Sequence, residues 1–422
     1  MVNGLLAYLD NSHSPYHAVE YSKKILSEAG FEELKLDEKW NISRGGKYYV
    51  DCYRSSLYAF TVGETDGMLR MAASHTDYPT FRIKPNAEIK SAGMIKLNIE
   101  PYGGGIYSTW LDRPLSMAGI VCVKGENAFD VSEVLFDFEK PVMMIPNLAI
   151  HMNREVNRGV ELNAFNDMMP VCSLDGEGIS KDILLEKIAE KMNVEKGDIL
   201  SYDLCAYTSE NAVMCGLEDE FVLSQGLDNI TSVCACVEGL LQSQRNDGIN
   251  IIAFYDHEEI GSRTKQGADS SLNEFVIEKI YLSLGKTRED YLDGLVGGML
   301  LSCDVAHGVH PNKSSVSDPT VSAHIGKGVV IKMNYNQKYP TDPKSVGIVY
   351  SLCEENDIPY QKFMNRADKP GGSTIGALAS SNMVMRAVDI GVPILAMHSA
   401  CESMALKDQD SIIGLVKAYF CK

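Results

Sequence analysis

An apolar run, Ile251-Ile-Ala-Phe-Tyr255, stops abruptly at Asp256-His-Glu-Glu-Ile-Gly-Ser262. Adjacent carboxylates at the mouth of a buried strand repel each other and are costly to desolvate unless cations lie beside them. The chemical reading gives one carboxylate, Glu259, to a metal and leaves its neighbour, Glu258, to move a proton. The bland alternative is a solvated acidic turn, the commoner fate of an isolated Glu-Glu pair. What decides between them is whether the chain supplies further ligands.

It has only nine histidines. His75 closes a predicted strand over Gly67–Ser74, and two residues on stands Asp77, spaced to reach the second ring nitrogen and fix the tautomer. Asp228, in Gly226-Leu-Asp-Asn229, begins a helix, where an N-cap is the alternative. Asp304 comes after the apolar stretch Gly298–Cys303, and His398 after Val392–Met397 with Ser399 beside it. Each lies where a strand ends or a helix begins, the place where active sites of α/β sheets gather. Two histidines and three carboxylates suit zinc, with one carboxylate bridging two ions; cobalt or manganese are possible substitutes. Glu258 is then left to take a proton from water that the cations acidify.

The elements that must position these groups are legible in outline. Ser14-Pro15 with Ala18, Ser22, Ile25, Leu26 and Ala29 before Gly30 predicts a capped helix with one apolar face. Strands are expected around Tyr48–Tyr53 and Leu57–Val62. From about Asn86 to Asp219 glycine-rich turns and short alternating segments surround one amphipathic helix carrying Leu184, Leu185, Ile188 and Met192. Beyond Gly226 helices and apolar strands alternate, with Leu272, Phe275, Val276 and Ile280 as a helix stripe and Gly328–Met333 as a buried strand. The expected architecture is therefore α/β: a central mixed sheet flanked by helices over 1–86 and 220–422, interrupted by a mostly β domain over 87–219.

A chain of 422 residues is long for one core, and 45% hydrophobic against 23% charged residues describes a soluble globular protein. The formal charge of −18 argues against nucleic acid or anionic membranes as partners. No signal peptide and no membrane span is read. Eleven scattered cysteines without paired CxxC motifs fit reduced thiols in a cytoplasmic enzyme.

In order along nearly the whole chain, a set of segments resembles the aspartyl aminopeptidase (M18) family of metallo-aminopeptidases. They are Ser14-Pro-Tyr-His-Ala-Val19, Ser74-His-Thr-Asp77, Tyr102-Gly-Gly-Gly-Ile-Tyr-Ser-Thr-Trp110, Pro146-Asn-Leu-Ala-Ile-His151, Asp256–Ser262, Asp304-Val-Ala-His-Gly-Val-His-Pro-Asn312, Ile331-Lys-Met-Asn-Tyr-Asn-Gln337, Gly372-Ser-Thr-Ile-Gly376 and Met397-His-Ser399. The resemblance implies a zinc-exopeptidase-like fold and two zinc ions per subunit. His75 and Asp304 would hold one ion, Glu259 and His398 the other, and Asp228 would bridge them. Glu258 matches the general acid/base and Asp77 the residue that orients His75. His151 matches a histidine that enters the neighbouring subunit's site and helps to stabilise the tetrahedral intermediate.

The implied reaction removes the first residue of a peptide with a free N-terminus. The implied assembly is a homo-oligomer, a dodecamer with enclosed sites, in which the inserted domain provides dimer contacts. Lys332 and Tyr339 match positions lining the substrate pocket of acid-specific members; without the resemblance Lys332 reads as a solvated strand-end lysine. His257 stands where many relatives have Asn and Gly371 where many have Cys, which leaves the preferred residue open. A related dizinc dipeptidase, carboxypeptidase or deacylase is the nearest alternative. A non-catalytic assembly subunit would be expected to have lost the base or a ligand, and none is missing.

Overall fold

The computed structural model describes residues 2–422. Its chain divides into two compact units, one of residues 2–77, 212–397 and 402–422, the other of residues 78–211 and 398–401.

The first unit is built on a nine-stranded mixed sheet. Its middle four strands, Asp247–Tyr255, Thr65–His75, Met299–Cys303 and Arg386–Gly391, run parallel. Three of them, Asp247–Tyr255, Met299–Cys303 and Arg386–Gly391, are buried almost from end to end because both faces are covered, as parallel strands require. On one face pack the helices Pro15–Glu28, Leu227–Leu241, Pro343–Glu355 and Leu406–Cys421, on the other Leu272–Ser283, Arg288–Gly297 and Ile375–Met383, giving two separate apolar clusters. The start of Pro15–Glu28 is dictated by its sequence: Ser14 caps it by accepting from the His17 amide, and Pro15 takes the first position, where its missing N–H costs nothing. A smaller five-stranded sheet joins Phe221–Ser224 to Glu402–Ala405 and Pro393–Leu395 to Ala306–His307.

Several local expectations shift. In helix Leu272–Ser283 the buried face is Leu272, Val276, Ile277 and Ile280, whereas Phe275 is 49% exposed and lies beneath the Lys279 ammonium. In helix Ile183–Met192 the buried residues are Leu184, Ile188 and Ala189, so Leu185 lies off the apolar stripe. Strand Thr65–His75 begins two residues before the expected Gly67 and ends on His75.

The second unit is a six-stranded antiparallel sheet with helix Ile183–Met192, its core centred on Phe81, Trp110, Phe136 and Leu204. It begins at Tyr78, earlier than residue 87, because strand Thr80–Ser91 pairs wholly within it, with Met94–Tyr102 and Ile199–Thr208. Its end at residue 211 precedes the expected 219 because Val213–Cys215 pairs with Phe221–Ser224 in the first unit. Among the described residues, no helix is long and apolar enough to cross a membrane.

Candidate metal centre

Parallel pairing brings the chemistry together. Tyr255 sits opposite His75 and Ser302 opposite Ala73, so three strands finish at one edge of the sheet. Those three ends present His75 itself, the Asp256–Glu259 turn, and Asp304. The place of Asp304 is fixed by backbone: its amide donates to the Ile390 carbonyl at 2.9 Å. A Cβ on Gly391 would come within 1.8 Å of the Asp304 carbonyl oxygen, so only glycine allows the approach.

Asp228 arrives from the helix side. Gly226, in the left-handed region, opens helix Leu227–Leu241, and Asp228 and Asn229 depart from helical geometry before the helix proper. Asp228 is thus not an N-cap. Its own amide donates at 3.0 Å to Oε2 of Glu402, a carboxylate 1% exposed that sequence reasoning missed. Nothing in the isolated segment Glu402-Ser-Met-Ala405 marks it; only the pairing of that strand with Phe221–Ser224 brings it beside Asp228.

His75 Nε2 lies 3.4 Å from Asp228 Oδ1 and 3.7 Å from Asp304 Oδ1. One donor atom from each of the three falls within 4.8 Å of the others. That nitrogen-and-carboxylate set, on buried residues, suits a divalent cation of the zinc class. On the far side of the ring, Nδ1 is 3.0 Å from the Asp77 carbonyl oxygen and 3.3 Å from its Oδ1. Two acceptors there hold a proton on Nδ1 and aim Nε2 at the carboxylates, the nitrogen a cation would take once its proton is displaced.

Asp77 does more than the His-x-Asp spacing suggests. Its two carboxylate oxygens also accept the amides of Glu258 and Glu259, at 3.2 and 3.1 Å. It achieves this from coil, two residues after the strand has ended, and so ties the histidine to the acidic turn. His257, at φ 65°, sets that turn; its Nδ1 lies 2.8 Å from the Thr264 hydroxyl.

The charges conflict strongly. Burial first, then Asp304, Asp77 and Asp228, push the half-buried Glu258 up to about 8, against the opposing pull of His75. Burial, Asp228 and Glu258 raise Glu259 well above the carboxylate range. His75 is raised too: burial disfavours its cation, but Asp228, Asp304 and Asp77 outweigh that. Such groups cannot all shed their protons together unless positive charge arrives.

Lys332 is not solvated but 1% exposed, with its ammonium 3.4 Å from Asp389 Oδ1 and 3.8 Å from Asp304 Oδ2. Burial opposes its charge, yet Asp304 and Asp389 hold its pKa above the ordinary lysine value. Tyr339, 4% exposed, turns its ring to that ammonium at 5.1 Å. Burial pushes Asp389 up to about 6, with Lys332 working the other way.

Two expected residues belong to the second unit. His398 has Nδ1 3.1 Å from the Gly104 carbonyl oxygen. Its support is therefore that carbonyl; the Ser399 hydroxyl accepts instead from the Cys401 amide. His151 lies in an exposed turn, flanked by Leu148, Ile150 and Met152 at 60%, 49% and 75% exposure.

The family described as Aminopeptidase I zinc metalloprotease (M18) matches residues 8–420 of the chain. A probable M18 family aminopeptidase 2 of Clostridium novyi (strain NT) is 45% identical over 424 residues, covering 99% of this chain and 98% of its own. Among solved structures, a chain from the complex of Ape4 and Nbr1 is similar with a TM-score of 0.95 at 32% identity, over 99% of this chain and 84% of that one. The S. cerevesiae mApe1 dodecamer shares the fold, with a TM-score of 0.86 at 24% identity over 99% of this chain and 95% of that one.

The raised groups fix the pH dependence of cation binding. Glu258, Glu259 and His75 all hold protons above their usual ranges. A cation that requires these groups deprotonated must displace those protons, so binding tightens as pH rises towards about 8 and weakens below it. Zinc titrations between pH 6 and pH 8.5 in buffers of different ionisation enthalpy are expected to show proton release and this slope. An affinity independent of pH would contradict it.

Proposed function

Because the chain belongs to the M18 family of aminopeptidases, zinc metalloproteases and hence hydrolases, we propose that it removes the N-terminal residue of peptides using a pair of zinc ions. His75 and Asp304 would hold one ion, Glu259 and His398 the other, and Asp228 would be the ligand they share. The observation that carries this reading is the convergence of His75 Nε2 on two buried carboxylates, with Nδ1 fixed by Asp77. For His398, engagement of Nδ1 by Gly104 directs Nε2 as the ligand atom. The chemistry zinc supplies, when bound, is Lewis acidity toward water and the scissile carbonyl. Cobalt or manganese would satisfy the same nitrogen and oxygen donors.

Glu258 is the proton carrier. Its pKa near 8 without cations falls when positive charge arrives, since the neighbouring carboxylates that raise it are then neutralised. It can then accept the attacking water's proton and return it to the leaving amine. Asp77, holding the Glu258 amide and His75 at once, keeps base and ligand in register. Free thiols throughout support a reducing, cytoplasmic setting.

His151 acts in trans, donating to the tetrahedral oxyanion in a partner's site. Its exposed position and the apolar residues around it support a subunit contact through the inserted unit. The dodecamer of the similar mApe1 supports a large homo-oligomer for this chain as well. One experiment addresses both residues. Glu258→Gln and His151→Ala assemblies should each lose roughly 10²-fold or more of kcat. Mixed oligomers should recover activity, because a protomer with an intact Glu258 can then receive His151 from its partner. Mixtures as inactive as either parent would sink the trans assignment.

The finer reading is a preference for an acidic first residue, with Lys332 and Tyr339 lining the pocket. Its support is the place of the Lys332 ammonium, 3.8 Å from the proposed ligand Asp304 and beside the Tyr339 ring. On a panel of aminoacyl-chromophore substrates, Lys332→Ala should lower kcat/KM for aspartyl and glutamyl substrates selectively. An equal fall for neutral substrates would contradict the preference.

A further inference from the structure

Behind Asp304 lies a buried ion cluster whose innermost carboxylate, Asp389, the proposed peptide hydrolysis leaves unused. Asp389 is 0% exposed, its Oδ1 accepts from the Ser302 hydroxyl at 3.0 Å, and its Oδ2 accepts from the Thr374 hydroxyl at 2.5 Å. Strand register makes this cluster: Asp389 stands opposite Ser302 on one side and opposite Lys332 on the other. The Lys332 ammonium donates to the Val305 carbonyl at 3.2 Å and sits nearer Asp389 (3.4 Å) than Asp304 (3.8 Å). Asp304 is therefore shared: Oδ2 faces the ammonium, while Oδ1 faces His75 Nε2.

We propose that Asp389 is a positioning residue for the metal centre, the counter-ion that keeps Lys332 from closing on Asp304 and so leaves that carboxylate able to hold a divalent cation. The proposal rests on the reading of Asp304 as a ligand. A lysine ammonium and a metal ion compete for the same carboxylate, and in a dry site the ammonium goes to whichever anion can neutralise it. With Asp389 present, its two oxygens pinned by hydroxyls, the ammonium is satisfied away from the centre. Without that negative charge, a short movement brings Lys332 into a direct pair with Asp304, at the roughly 2.8 Å typical of charge-assisted bonds. Asp304 then carries less charge for the metal. The effect is one of fixed charges, and Asp389 itself touches neither substrate nor ion.

The test is zinc affinity of the full-length protein, measured by competition with a chromogenic chelator, for four variants beside the unaltered chain. Asp389→Asn keeps an acceptor for Ser302, and the Thr374 hydroxyl can reverse to accept from the new amide. It should bind zinc on the order of 10- to 100-fold more weakly. Adding Lys332→Met to it should return most of that affinity, because the competing ammonium is gone. Thr374→Val, which loosens Asp389 without removing its charge, should shift affinity the same way by less. Unchanged affinity in Asp389→Asn overturns the proposal, as does a double variant no better than Asp389→Asn, which would trace the loss to packing. Asp304→Asn separates the two layers. If it loses zinc while Asp389→Asn does not, only the role of Asp389 fails; if it binds zinc normally, the ligand reading fails as well.

Discussion

A crowd of carboxylates at the end of a buried sheet cannot be neutralised by the protein's own side chains. Asp77, Asp228, Glu258, Glu259 and Asp304 converge around the His75 imidazole, with Lys332 as the nearby ammonium. At an effective dielectric near 20, like unit charges ~4 Å apart repel by about 4 kcal/mol. Folding meets part of that by leaving protons on Glu258, Glu259 and His75. Divalent cations would meet the rest, and the donor set is the kind they take.

Much of the fold can be understood as the means of holding that crowd in place. Parallel pairing ends three strands together, which sets His75, the acidic turn and Asp304 along one edge. Rigid strand ends locate ligands better than mobile loops would, because each side chain inherits its position from a ladder of backbone hydrogen bonds. Asp77 links His75 to the amides of Glu258 and Glu259 through one carboxylate. Glu402 does the same for the backbone of Asp228. Both are carboxylates whose service is to aim other groups.

The strand ends are legible in the sequence because apolar runs stop sharply at polar, chemically capable residues: Ser74-His75, Tyr255-Asp256, Cys303-Asp304. Helix Pro15–Glu28 is equally plain, its cap and proline standing in the expected places. What cannot be read is whatever depends on register between distant strands. Asp389 lies inside the strand Arg386–Gly391 and looks like an interruption of an apolar run; only its partners Ser302 and Lys332 give it meaning. Lys332 reads as solvated for the same reason, since the carboxylate that lets it be buried is 57 residues further along the chain. Glu402 offers no local signal at all. The passage into the second unit is expected too late because Thr80–Ser91 has the alternation of any strand, and only its partners show which sheet it joins.

The most direct measurement is the zinc content of the protein after exhaustive dialysis at neutral pH, for the unaltered chain and for Asp228→Asn. If paired cations are what compensate these carboxylates, the unaltered protein should retain two ions per chain, and loss of the shared ligand should weaken both. A chain that folds fully, cleaves peptides and holds no stoichiometric metal would contradict the account.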